Sequence, residues 1–210
     1  GVRYGGGVYV GGYNSTFNMS GGASVSGNTT TGNGGGVGVY SGATFDMSDG
    51  TIGGTNADDA NKATSNGGGV YMGGGTFTMN NDASIIKNEA SQNGGGVYVY
   101  SGTFEMNGNA SVSSNKATNN KKEDTTYGGG VYVLNGTFNM NGNASVRGNT
   151  ANVGGGVHVS GVGKFNMNGD ASITGNIGNG VHFNGNGTFT VSGKPTVTGN
   201  TRKNADSNVY

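Results

Sequence analysis

Apolar and polar residues alternate in short bursts along this chain, and the bursts recur. In Gly94 to Asn115 the apolar positions fall at Val97 and Val99, at Phe104 and Met106, and at Ala110 and Val112. Each burst has period two, the signature of a strand with one face buried. None shows helical spacing. Gly, Asn and Ser separate the bursts, as turn residues do. The pattern predicts three short strands per unit: V-Y-V, T-F-x-M and A-S-V-S.

The unit repeats about seven times. The valine after each glycine run stands at Val8, Val37, Val70, Val97, Val131, Val157, Val181 and Val209, at separations between 24 and 34 residues. A loose period in that range, tolerant of insertions, points to stacked units. The expectation is an all-β fold: one right-handed parallel β-helix, or solenoid, over residues 1–210, of about seven rungs. Handedness follows from the rule that parallel crossovers are right-handed. A left-handed hexapeptide helix would show a six-residue period, which is absent.

Columns sharpen the reading. Phe17, Phe45, Phe77, Phe104, Phe138, Phe165 and Phe189 share one slot, and Met19, Met47, Met79, Met106, Met140, Met167 and Val191 share the slot two later. Met72 and Phe183 fall in the second valine slot, so every Phe and Met is predicted to point inward. A third column, Asn28, Asn56, Asn88, Asn115, Asn149, Asn176 and Asn200, is expected at a corner as a stacked hydrogen-bonding ladder.

Composition narrows the function classes. Gly is 48 of 210 residues with only 1 Pro and no G-X-Y period, which excludes collagen. Net charge is +0 and 10% of residues are charged, too few to form a phosphate-binding stripe, so no nucleic-acid partner is expected. No apolar run is long enough for a membrane-spanning helix. Zero Cys removes disulfides and thiolate metal sites.

The pairing of GGGV with F-x-M-N resembles the repeats of polymorphic outer membrane proteins, which are bacterial surface autotransporters carrying GGA plus an aliphatic residue and F-x-x-N. F-x-x-N is present at Phe77–Asn80, Phe104–Asn107, Phe138–Asn141 and Phe165–Asn168. Ser replaces Asn after Phe17, Phe45 and Phe189, and Gly replaces the family's Ala throughout. The resemblance implies a β-helical passenger, secreted or displayed at the cell surface and often adhesive, with no catalytic residue.

Candidate chemistry lies in the outward slots. Tyr9, Gly38, Tyr71, Tyr98, Tyr132, His158, His182 and Tyr210 form a column that is expected to face outward, to stack on itself or to contact surface glycans or proteins. His158 and His182 sit one rung apart, and their reading as a metal pair is weaker than their reading as ring fillers. Ser24/Ser26, Ser111/Ser113, Ser172/Thr174 and Thr196/Thr198 form hydroxyl pairs, and Thr76/Thr78 and Thr188/Thr190 add to them. Ice binding is therefore an alternative function, although Ile86, Arg147, Asp46, Glu105 and Lys164 interrupt both faces.

Two insertions, 57–66 and 116–127, are expected as surface loops between the Asn column and the glycines. They hold Asp58, Asp59, Lys121, Lys122, Glu123 and Asp124, and a Ca²⁺ site at Asp58 and Asp59 lacks the repeat motif that would support it. No G-K-[ST] follows the glycines, so they form no phosphate loop. No acid pair recurs on adjacent rungs. The expectation is a non-enzymatic, cofactor-free, extracellular structural or adhesive rod, continued by further repeats or stacked end to end with copies of itself.

Overall fold

The computed structural model describes residues 3–119 and 125–202, with the backbone also described at 205–206. It is a parallel β-solenoid. Strands Val8–Val10, Val37–Val39, Val70–Met79, Val97–Met106, Val131–Val133, Val157–Gly161 and Val181–Gly185 line up side by side in chain order, one per rung. Ser24–Val25, Thr51–Gly53, Ser84–Ile86, Ser111–Ser113, Ser145–Arg147, Ser172–Thr174 and Thr196–Thr198 form a second seven-stranded sheet in the same order. The pairing within both sheets is parallel and in register, Val on Val and Phe on Phe. Among the described residues the one antiparallel pair is Thr201–Arg202 with Ala205–Asp206.

Two features depart from three separate strands per rung. The T-F-x-M segments belong to the same sheet as V-Y-V. In the third and fourth rungs the two fuse into single ten-residue strands, Val70–Met79 and Val97–Met106, with a register shift between Val99 and Thr103. A further four-stranded sheet is made of Thr29–Thr30, Lys62–Ala63, Glu89–Ala90 and Lys116–Ala117. Its strands are two residues long, too short to display a period. Their inward residues, Thr30, Ala63, Ala90 and Ala117, are small and buried. Their outward residues put Lys62, Glu89 and Lys116 in one column of alternating sign.

The core is the predicted set of columns. Phe45, Phe77, Phe104, Phe138 and Phe165 are fully buried and stack face to face, with centroids 4.5, 5.0, 4.8 and 5.0 Å apart. Met47, Met79, Met106, Met140 and Met167 lie beside them, and Val97, Val99, Ala110 and Val112 close the fourth rung. Each large apolar side chain removed from water contributes about 1.5–3 kcal/mol before entropy is subtracted. No single rung has enough of them, so each depends on its neighbours.

The insertions are only partly loops. Residues Ala57–Asp59 make one 3-10 turn, after which Asn61 and Lys62–Ala63 rejoin the coil. This insertion therefore precedes the Asn corner instead of following it. Lys116–Ala117 is likewise regular strand. Thr126 is buried and pins the far side of the second insertion: its N–H donates to Asn152 Oδ1 (3.0 Å) and its Oγ1 lies 2.7 Å from Ala117 O. Lys121, Lys122, Glu123 and Asp124 lie outside the described residues. Among the described residues no helix is long and apolar enough to cross a membrane.

Candidate functional surfaces

Polar side chains on the turns are joined from rung to rung. Asn28, Asn61, Asn88, Asn115, Asn149, Asn176 and Asn200 form one continuous ladder. Asn115 Nδ2 donates to Asn149 Oδ1 (3.0 Å) and to Ile85 O (3.0 Å), and its backbone N–H donates to the same Asn149 oxygen (2.9 Å). The pattern repeats at Asn88, Asn149 and Asn176. Each interior Oδ1 accepts two hydrogen bonds and each Nδ2 donates to at least two acceptors, so a buried amide is satisfied on both sides.

Asn56 does not belong to this column. It sits ahead of the 3-10 turn, where its N–H and Nδ2 donate to the Asp59 carboxylate at 3.0 and 2.9 Å. Asn61 takes the ladder position because the insertion falls before the corner.

Outer ladders run alongside. Asn80, Asn107, Asn141 and Asn168, the asparagines of F-x-M-N, are linked Nδ2 to Oδ1 at 3.0, 2.9 and 2.9 Å. Asn33, Asn66 and Asn93 make a further one that ends on the Tyr127 N–H. In these outer ladders the amide donates toward the N-terminal rung, and in the buried ladder toward the C-terminal rung.

The glycine run is fitted to the buried ladder. Gly128 has φ 64°, a left-handed corner that side chains resist. A Cβ on Gly130 would stand 2.7 Å from Gly156 O and 2.9 Å from Asn149 Nδ2. The third glycine of the run thus leaves room for the amide that spans the corner.

The tyrosine column is continuous but largely covered. Tyr9, Tyr71, Tyr98, Tyr132, His158 and His182 hold equivalent positions in neighbouring rungs. Gly38 leaves a gap in the second rung, and the ring of Tyr40 fills it, stacking 5.2 Å from Tyr9 and 5.5 Å from Tyr71. The stack continues at 5.4, 4.8, 5.0 and 4.9 Å through to His182. Tyr98 is 8% exposed, Tyr132 9% and His158 2%, which corrects the expectation that these three face solvent. Rings repeated at rung spacing lie against one another, and Tyr127 packs on His158 at 4.7 Å. Tyr9 remains 59% exposed.

Burial governs the ionisation of these groups. Desolvation raises the phenol pKa values of Tyr40, Tyr71, Tyr98 and Tyr132 above the ordinary range. Burial, with His182 beside it, pushes His158 down to about 3. Burial and nearby Arg202 lower His182 as well. The two Nδ1 atoms lie 3.1 Å apart, as neutral rings with one donor and one acceptor allow. In that arrangement the facing Nδ1 lone pair accepts a proton bond instead of meeting a metal.

The hydroxyl faces are mixed. Thr51 Oγ1 and Ser84 Oγ bond each other at 3.1 Å. Ile86 and Arg147 share a column with Ser113, which is itself buried. Asp46, Glu105 and Lys164 lie in the strand-two columns among Thr44, Thr103 and Thr188. Among the described residues no cluster of three or more His, Asp or Glu could hold a metal ion.

No protein-family profile, no curated protein and no solved structure matches this chain.

Proposed function

We propose that this chain is a load-bearing rod: a non-enzymatic, extracellular structural or adhesive β-solenoid segment that supplies length and stiffness to a surface fibre. The observation that carries this reading is the buried ladder from Asn28 to Asn200, which links all seven rungs through hydrogen-bonded amides along the axis. The polar side chains at the corners face one another along the axis, an arrangement that resists axial separation and offers a reacting molecule little.

The open column of the seventh rung suits continuation. Val191 is 57% exposed and Phe189 half-buried. A second copy stacked end to end would cover them.

Pulling a single molecule between its two ends tests the proposal. A load-bearing rod should resist and then release rung by rung, in steps of about 100 Å, the extended length of one repeat. Smooth extension at negligible force would overturn it.

A further inference from the structure

Exposed tyrosine is concentrated on one face of the first four rungs. Tyr4, Tyr9, Tyr13 and Tyr100 are 48, 59, 86 and 47% exposed, and Tyr40 and Tyr71 lie between them. The rings are set down on bare backbone. A Cβ on Gly11 would meet the Tyr9 ring at 2.6 Å, one on Gly42 the Tyr13 ring at 3.0 Å, and one on Gly73 the Tyr40 ring at 2.4 Å. Glycine at those sites allows the rings to lie low: Tyr4, Tyr9, Tyr40 and Tyr71 are in ring-to-ring contact, and Tyr13 over Gly42 and Tyr100 near Tyr71 flank them. Contiguous exposed aromatic area of this kind marks an interaction site.

We propose that this face binds a neutral polysaccharide. Uncharged rings bearing hydroxyls match the apolar C–H faces and hydroxyl rims of sugar residues. The face is aromatic and hydroxyl-bearing, and the charged side chain that shares a recess with it is Arg3, beside Tyr4. The stacked centroids, 5.2 and 5.5 Å apart, leave no slots between rings of the sort that a proline-rich peptide occupies. The repeat of the same chemistry rung after rung favours a polymer over a single sugar. This proposal stands apart from the mechanical one, because a chain that fails under load could still bind.

The test is affinity electrophoresis of the intact chain in gels cast with galactomannan, mixed-linkage β-glucan or alginate. Retardation is expected in at least one of the two neutral gels and not in alginate. A Tyr9→Ser/Tyr13→Ser/Tyr100→Ser variant should bind about tenfold more weakly, with a melting temperature no lower than that of Tyr9→Ser alone, because Tyr9 stacks on Tyr40 whereas Tyr13 and Tyr100 are exposed and lie outside the column. Migration unchanged in both neutral gels, retardation that survives the triple substitution, or retardation by alginate alone would overturn the proposal. So would a concentration-dependent dimer that the substitutions abolish, which would assign the face to self-contact.

Discussion

Asn115 and Asn149, one rung apart, share a single oxygen: Asn149 Oδ1 accepts both the backbone N–H and the side-chain amide of Asn115, at 2.9 and 3.0 Å. Removing either side chain strands buried donors and acceptors on both neighbours. Asn115→Ala should lower stability by roughly 3 kcal/mol or more, since each orphaned buried group costs about 1–3 kcal/mol. Asn61→Ala should behave similarly, while Asn56→Ala, at an exposed turn, should stay within about 1 kcal/mol of wild type. Urea midpoints of the three variants check this.

Glycine substitutions should separate two kinds of constraint. Gly130→Ala drives a Cβ toward Gly156 O and the Asn149 amide. Gly148→Ala meets nothing closer than Ser114 Oγ at 3.8 Å, but must hold φ 62°. The second should cost about 1–2 kcal/mol, the first distinctly more. Ser114 holds φ 57° at the equivalent corner, so Ser114→Gly should leave stability equal or raise it, despite the added freedom of the unfolded chain. Thermal melts of the three proteins decide the order.

Acid should loosen the rungs that carry His158 and His182. Both folded pKa values lie below that of an unfolded histidine, so the unfolded chain binds more protons as pH falls below about 6.5. For His158 stability is then lost progressively from about pH 6.5 toward pH 3, by at most about 1.4 kcal/mol per pH unit, and the more exposed His182 adds a loss of the same sign. Tyr127, Tyr132 and Arg202 face the pair. His158→Phe, which keeps a stacking ring, should flatten the pH dependence of the melting temperature. An unchanged slope would show that the histidines do not govern it.

The exchange of positions between Gly38 and Tyr40 can be tested by restoring the column. Tyr40→Ala should destabilise the chain by opening the stack between Tyr9 and Tyr71. Gly38→Tyr combined with Tyr40→Thr places a ring in the slot used by the other rungs and should recover most of the loss. Calorimetry of wild type, single and double variants measures it. A double variant no more stable than Tyr40→Ala would mean that the ring at 40 has a separate role.

Much of this architecture was readable from residue order. Phe104 and Met106 recur once per rung with no competing apolar residue nearby, so their columns allowed one assignment, and both proved fully buried. Asn56 and Asn61 offered two candidates for one corner, and the choice of Asn56 failed because the insertion precedes the corner. The tripeptides Asn61-Lys-Ala63, Asn88-Glu-Ala90 and Asn115-Lys-Ala117 held the signal that resolves it. The F-x-M-N asparagines were visible as a motif, but their linkage into an outer ladder depends on rung spacing, which no single repeat contains. Burial of Tyr98, Tyr132 and His158 was hidden for the same reason: alternation assigns a face, and stacking between rungs then covers it. Tyr40 broke the column rule, and only the void over Gly38 explains where its ring lies.

Side-chain amide hydrogen exchange, followed by NMR on the asparagine NH2 groups, tests most directly whether the repeated residues hold the rungs together along the axis. The account predicts slow exchange at Asn61, Asn88, Asn115, Asn149 and Asn176, and rapid exchange at Asn56. Rapid exchange throughout, or protection of Asn56 in place of Asn61, would contradict it.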